Sequence, residues 1–152
     1  MRARPVLVAL ALACGLEAHA EDLKGAAPPE RERFRWPIRG PIVAPFKADA
    51  NDGVDIAAPV GEPVHAAADG QCIAATEELK TFGKLVALSH ANGAVTVYAD
   101  LKEIDVSEGD KVRRGQVVGK SGESGAVASP RLHFELRRDG KPIDPLPFMA
   151  PL

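Results

Sequence analysis

Cysteine and aromatic residues are scarce in this chain: its 152 residues include two cysteines, one tryptophan, one tyrosine and five phenylalanines. Cys14 falls in an N-terminal leader, which leaves Cys72 alone and excludes an internal disulfide framework. Cys72 belongs to the apolar stretch Cys72-Ile73-Ala74-Ala75, so buried packing is expected of it rather than thiol chemistry. Surplus positive charge is also missing, with 19 Lys and Arg against 21 Asp and Glu, and nucleic-acid binding, which needs a basic face, is not indicated. No apolar run reaches the roughly 20 residues that cross a bilayer as a helix. No segment keeps an amphipathic helical period for more than about two turns.

What is present begins with the leader. Met1-Arg2-Ala3-Arg4 is basic, residues 6–13 are apolar, and Ala18-His19-Ala20 offers a small-x-small cleavage site before Glu21-Asp22. This pattern predicts a secretory signal peptide over residues 1–20 and hence an exported, periplasmic protein. A second reading takes Ala11-Leu12-Ala13-Cys14 as a lipoprotein cleavage box, with Cys14 lipidated after processing. Residues 21–33 are charged and proline-rich, bury too little apolar surface to order themselves, and read as a flexible tether. The folded domain is expected over residues 34–152, starting near Phe34-Arg35-Trp36-Pro37.

Within that domain, glycines and prolines separate short, β-branched, alternating runs, a spacing that predicts an all-β fold. Lys84-Leu85-Val86-Ala87-Leu88-Ser89-His90 and Ala94-Val95-Thr96-Val97-Tyr98 flank Asn92-Gly93, a dipeptide that supplies the positive φ angles of a tight hairpin. Between Gly109 and Gly119, glycines at turn positions bracket two further short strands, a pattern similar to lipoyl-type barrel-sandwich domains. A lipoyl carrier needs a modifiable lysine at a hairpin tip, and Ala91-Asn92-Gly93 has none. His65 in its strand-like run is expected to be a surface or hydrogen-bonded core histidine, and His90 beside the hairpin a structural one.

Two segments carry a more specific signal. Asn51-Asp52-Gly53-Val54-Asp55 and Arg131-Leu132-His133-Phe134-Glu135 resemble the two metal-binding segments of the lysostaphin/LytM-type peptidoglycan metallopeptidases. The likeness extends through Gly53-Val54-Asp55-Ile56-Ala57-Ala58-Pro59 and Pro63-Val64-His65-Ala66-Ala67-Ala68-Asp69-Gly70, and covers nearly the whole domain. It implies a LytM-type duplicated hybrid motif, a barrel-sandwich-like β-sheet groove with the metal positions on its floor. In that family the segments read His-x-x-x-Asp and His-x-His, and a further catalytic His ends Tyr-x-His. By the resemblance, Asp55 and His133 remain at ligand positions, while Asn51, Arg131 and Asp100 stand where histidines are expected.

Catalytic zinc needs three protein ligands and an open position for water. An amide oxygen at Asn51 is a poor replacement for imidazole, and Arg131 would set a permanent positive charge beside a divalent cation. Arginine cannot serve as a general base near neutral pH, and an ordinary carboxylate at Asp100 is a weak one. Zinc is therefore expected to be absent, with Asp55 pairing to Arg131 in its place, unless Asp49, Asp52 or Asp100 swings in as a replacement ligand. The pattern is similar to the degenerate LytM domains of NlpD, DipM and EnvC type, which do not cleave but switch on cell-wall amidases. The resemblance implies a groove, floored by Asn51, Asp55, Tyr98, Asp100, Arg131 and His133, that binds a periplasmic N-acetylmuramoyl-L-alanine amidase. A peptidoglycan-binding module and a zinc endopeptidase with a replaced ligand are the alternatives.

Overall fold

A computed structural model describes residues 33–79 and 81–152; the leader, Cys14 and most of the expected tether lie outside the described residues. The described chain is all-β, as expected from the spacing of its turns. Its strands are β1 (Ile42–Ala44), β2 (Val54–Ala57), β3 (Pro63–His65), β4 (Gly70–Leu79), β5 (Gly83–Ser89), β6 (Ala94–Ile104), β7 (Lys111–Val112), β8 (Val117–Ser121), β9 (Arg131–Arg138) and β10 (Lys141–Ile143). A 3-10 turn at Leu146–Phe148 follows.

All strand pairs are antiparallel, in the order β1-β2-β9-β6-β5-β4-β7, with β10 also on β9 and β8 bridging β3 to β6. β6 is the axis. One edge of it pairs with β5 throughout, and the other pairs first with β9 (Ala94 to Ala99) and then with β8 (from Leu101). The change of partner coincides with a bulge. Tyr98 faces Val86 and Leu101 faces Lys84, so β6 carries one residue more than β5 between these pairs. Asp100, at φ 65°, lies in that interval and adopts the left-handed conformation.

Period-two alternation builds two apolar faces on the same strands. Val54, Ile56, Val86, Leu88, Tyr98, Leu132, Phe134 and Leu136 enter the main core with Phe34, Val64 and Val118. Ala74, Leu85, Ala87, Val95, Val97 and Ala99 form a second cluster beneath Phe82 on the opposite face. Each large aliphatic or aromatic side chain buried this way contributes about 1.5–3 kcal/mol. Gly53 is required by close approach: a Cβ there would collide with the carbonyl of Phe134, on the strand that β2 must reach.

The β5–β6 hairpin forms where Asn92-Gly93 places it, but its turn differs from a two-residue loop. Gly93 N–H donates to His90 O, and Gly93 alone in the loop has positive φ, at 84°. Asn92 instead uses its side-chain oxygen to accept from Ala94 N–H. The expected short strands after Gly109 are β7 and β8, with Gly109 and Gly115 both at positive φ. Phe34 joins Met149 in a parallel bridge, which ties the first described residues to the last stretch of the chain. Cys72 is buried, and burial pushes its thiol up to about 11.

Candidate functional site

β2 and β9 set Asp55 opposite His133, and the other edge of β9 sets His133 opposite Ala99 of β6. Alternation along β9 sends Leu132, Phe134 and Leu136 into the core. It leaves Arg131, His133, Glu135 and Arg137 together on the face that Asp55 shares. These side chains form a continuous row of ion pairs. Arg131 Nη1 lies 3.2 Å from Asp55 Oδ2, and Asp55 Oδ1 lies 2.6 Å from His133 Nδ1. His133 Nε2 lies 2.8 Å from Glu135 Oε2, Arg137 Nε donates to Glu135 Oε1 at 2.7 Å, and Arg137 Nη2 reaches Asp52 at 3.7 Å. Carboxylates and cations alternate along the row, three of each. The Arg131–Asp55 pair expected from the sequence is present.

The row fixes the protonation of His133. Ionised carboxylates only accept hydrogen bonds, so both imidazole nitrogens must donate, and the ring is an imidazolium. Burial alone would lower its pKa. The bonds to Asp55 and Glu135 outweigh that and raise it to about 9. Burial would in turn raise the carboxyl groups of Asp55 and Glu135, but the cations beside each hold both below their ordinary values. Glu135 is 1% exposed and tolerates that burial because both its oxygens are bonded to cations.

Above this row opens a cleft of about 480 Å³, whose lining includes Asn51, Asp52, Asp55, Phe82, Asp100 and His133. Asn51 closes a tight turn on Lys47 and donates its side-chain amide to Pro45 O at 3.0 Å. Phe82 lies against His133 with ring centroids 5.6 Å apart. Asp100 is 3% exposed, and burial pushes its carboxyl up to about 6, with His133 and Arg131 pulling it down and Asp55 pushing it up.

The structure thus brings Asn51, Asp55, Asp100 and His133 to one cleft, with Arg131 attached through Asp55. Tyr98 is not among them, a correction to the expected groove floor. In a regular strand Tyr98 and Asp100 would share a face, but the bulge at Asp100 resets the alternation. Tyr98 and Leu101 enter the core, while Ala99 and Asp100 turn to the cleft side. Tyr98 is fully buried, its ring 5.5 Å from Phe134 and its hydroxyl accepting from Ala67 N–H at 2.9 Å. Glu135 and Arg137 were missed as site residues, although the alternation of charged and apolar residues from Arg131 to Arg137 signals their common face.

The other described histidines, His65 and His90, are hydrogen-bonded within the fold. His90 Nδ1 donates to Asp69 O at 2.7 Å, so its Nε2 accepts from Thr96 Oγ1 at 2.8 Å, and Thr96 Oγ1 accepts from the Tyr98 hydroxyl at 2.8 Å. Every donor in that chain finds an acceptor only with His90 neutral, and burial accordingly lowers its pKa. His65, half-buried, is bonded through Nδ1 to Gly115 O.

An antiparallel sheet that sets a carboxylate and an imidazole opposite each other beneath an open cleft has the layout of a β-sheet metallopeptidase site. The profile of peptidase family M23 matches residues 49–145, and the chain belongs to that family. It is 41% identical over 137 residues to the cell division protein DipM of Caulobacter vibrioides, covering 79% of this chain and 22% of that one. It is 35% identical over 118 residues to the murein hydrolase activator NlpD of Escherichia coli, covering 76% and 31%. A zinc-containing peptidase from Vibrio cholerae superposes with a TM-score of 0.73 at 28% identity, over 80% of this chain and 41% of that one. The chain therefore spans less than half the length of each of these proteins.

Proposed function

We propose that this chain is a non-cleaving M23 domain that works without zinc and activates an exported N-acetylmuramoyl-L-alanine amidase by binding it in the cleft. The observation that carries the reading is the saturated ion-pair row. Asp55 has one oxygen on Arg131 and the other on His133, and both nitrogens of His133 are committed to carboxylates. A histidine binds zinc through a free lone pair on neutral imidazole, a carboxylate through an uncommitted oxygen, and catalytic zinc needs three protein ligands in all. Among the described residues, no three His, Cys, Asp or Glu side chains are grouped to hold a metal ion. Losing the row to admit zinc would also strand the Arg131 guanidinium next to the ion.

A cleft that grips without cutting fits the relatives, of which one is named a murein hydrolase activator and another a cell division protein. Activation by binding requires that the cleft prefer the open form of the amidase to its closed form. Turning a mostly closed population into a mostly open one takes a preference on the order of 3–5 kcal/mol, well within the energy of an ordinary interface. Export and a place in the envelope belong to the same proposal; no helix among the described residues is long and apolar enough to cross a membrane.

The test uses dye-labelled sacculi. The purified protein alone should release no dye, and addition of an amidase from the same organism should give release well above that of the amidase alone. Metal analysis of the same preparation should find far less than one zinc per chain. Chelator-sensitive release by the protein alone would return it to the peptidases, and retention on sacculi without stimulation of any amidase would make it a wall-binding module.

A further inference from the structure

The charged groups in and under the cleft are not equally satisfied. Asp55, His133 and Glu135 are each bonded on both sides, and Asp52 is offset by Arg137 at 3.7 Å. Among the buried ones, Asp100 is the exception. It is 97% buried, it lines the cleft, and among the described residues its carboxyl group accepts no hydrogen bond. A carboxylate that is mostly buried, meets only the cleft and has no protein donor is poorly satisfied in the free protein, which suits it to a donating ligand group.

Two backbone features hold it there. The left-handed bulge residue turns the side chain out of the core, and Gly125 leaves room for it, since a Cβ at that position would collide with Asp100 Oδ1. The surroundings specify the sign of the missing group. Asp49, Asp52, Asp55 and Asp100 all line the cleft, and among the described residues His133, already committed to two carboxylates, is the one cationic residue of the lining. An acidic segment would meet like charge here. Phe82, Ala126 and Val127 complete an apolar wall beside the carboxylate, suited to the methylene stem of a long basic side chain.

We propose that Asp100 is the receptor for a lysine or arginine side chain carried by the protein segment that docks in this cleft. The proposal rests on the reading of the cleft as an amidase-docking groove and adds the chemistry by which a partner is chosen. The cation completes a charge-assisted pair that the free protein lacks, which gives affinity to segments that place a basic residue over Asp100 and withholds it from others.

Calorimetric titration of the purified protein with each amidase of the same organism tests this. Asp100→Asn keeps the shape of the side chain and tolerates the left-handed conformation. The expected result is a loss of about 10–100-fold in affinity, the scale of one charged hydrogen bond, together with a higher melting temperature. Replacing each basic residue of the docked amidase segment by Glu should reproduce the loss at one position, and Asp100→Lys should recover binding to that variant alone. An amidase that binds Asp100→Asn as tightly as the native protein overturns this proposal and leaves the docking groove standing. Absence of binding by any amidase to the native protein removes the groove reading, and this proposal with it. If Asp100→Asn instead loses affinity for sacculi, and acetylation of their free amino groups does the same, the cation belongs to peptidoglycan and a protein source is refuted.

Discussion

Two buried histidines of the same sheet region differ in charge, one cationic and one neutral. His133 is 7% exposed and His90 8%, so burial does not separate them. Their partners do. His133 lies between the carboxylates of Asp55 and Glu135 and is held as imidazolium up to about pH 9. His90 lies between the carbonyl of Asp69 and the hydroxyl of Thr96 and is held neutral. The comparison teaches that the charge of a buried histidine is set by the groups its two nitrogens meet rather than by how deeply it is buried.

Breaking the charged row should have the largest effect. Glu135→Ala leaves the His133 and Arg137 cations without their shared carboxylate and is expected to cost about 3–5 kcal/mol in urea unfolding, the usual penalty for an uncompensated buried charge. The same substitution should bring the His133 titration, followed by NMR, back toward its ordinary value. A Glu135→Ala protein of native stability would mean that the row is ornamental.

The pH dependence of stability separates the two histidines. The folded pKa of His133 is raised, so its contribution is complete below about pH 6.5 and is lost as pH rises through about 9, a change on the order of 3 kcal/mol. The folded pKa of His90 is lowered, so its contribution is present above about pH 6.5 and is lost as pH falls below that. Urea midpoints between pH 5 and 10 should decline at both ends. His133→Gln should remove the alkaline decline and leave the other, and an alkaline limb unchanged in that variant would refute the assignment.

Asp100 sharpens the contrast from the other direction. Its folded pKa is raised to about 6, so ionisation works against folding and the loss is complete above that pH. Asp100→Asn should therefore stabilise the protein at pH 7 by about 2 kcal/mol, an unusual sign for a change at a cleft floor. The smallest effect belongs to the neutral relay. Thr96→Val removes the hydroxyl between His90 and Tyr98 and should cost about 1–2 kcal/mol without changing what the cleft binds. A loss of amidase binding in Thr96→Val would tie the two faces together and end the comparison as drawn.

Much of this was legible in the chain. The all-β class followed from turn spacing, the β5–β6 hairpin from Asn92-Gly93, and the pairing of Asp55 with Arg131 from two motifs far apart in sequence. Tyr98 was misplaced because the bulge that reverses its side depends on the pairing of β6 with β5 and β8, and no local residue pattern announces that. Phe82 and Gly125 gave no signal for the same reason: loops bring them to the cleft. Glu135 and Arg137 were readable in principle. Their alternation with Leu132, Phe134 and Leu136 is the plain two-residue period of a strand with one polar and one apolar side.

The bridge between Phe34 and Met149 has one more consequence. Phe34 N–H donates to Phe148 O, and Ala150 N–H donates to Phe34 O, so incoming and outgoing chain leave from a single spot. A domain with its two exits side by side can be spliced into a surface loop of an unrelated protein, or circularly permuted and reopened at the His90 hairpin tip. Either graft would carry the cleft as a portable cartridge, indifferent to which end of the polypeptide tows it.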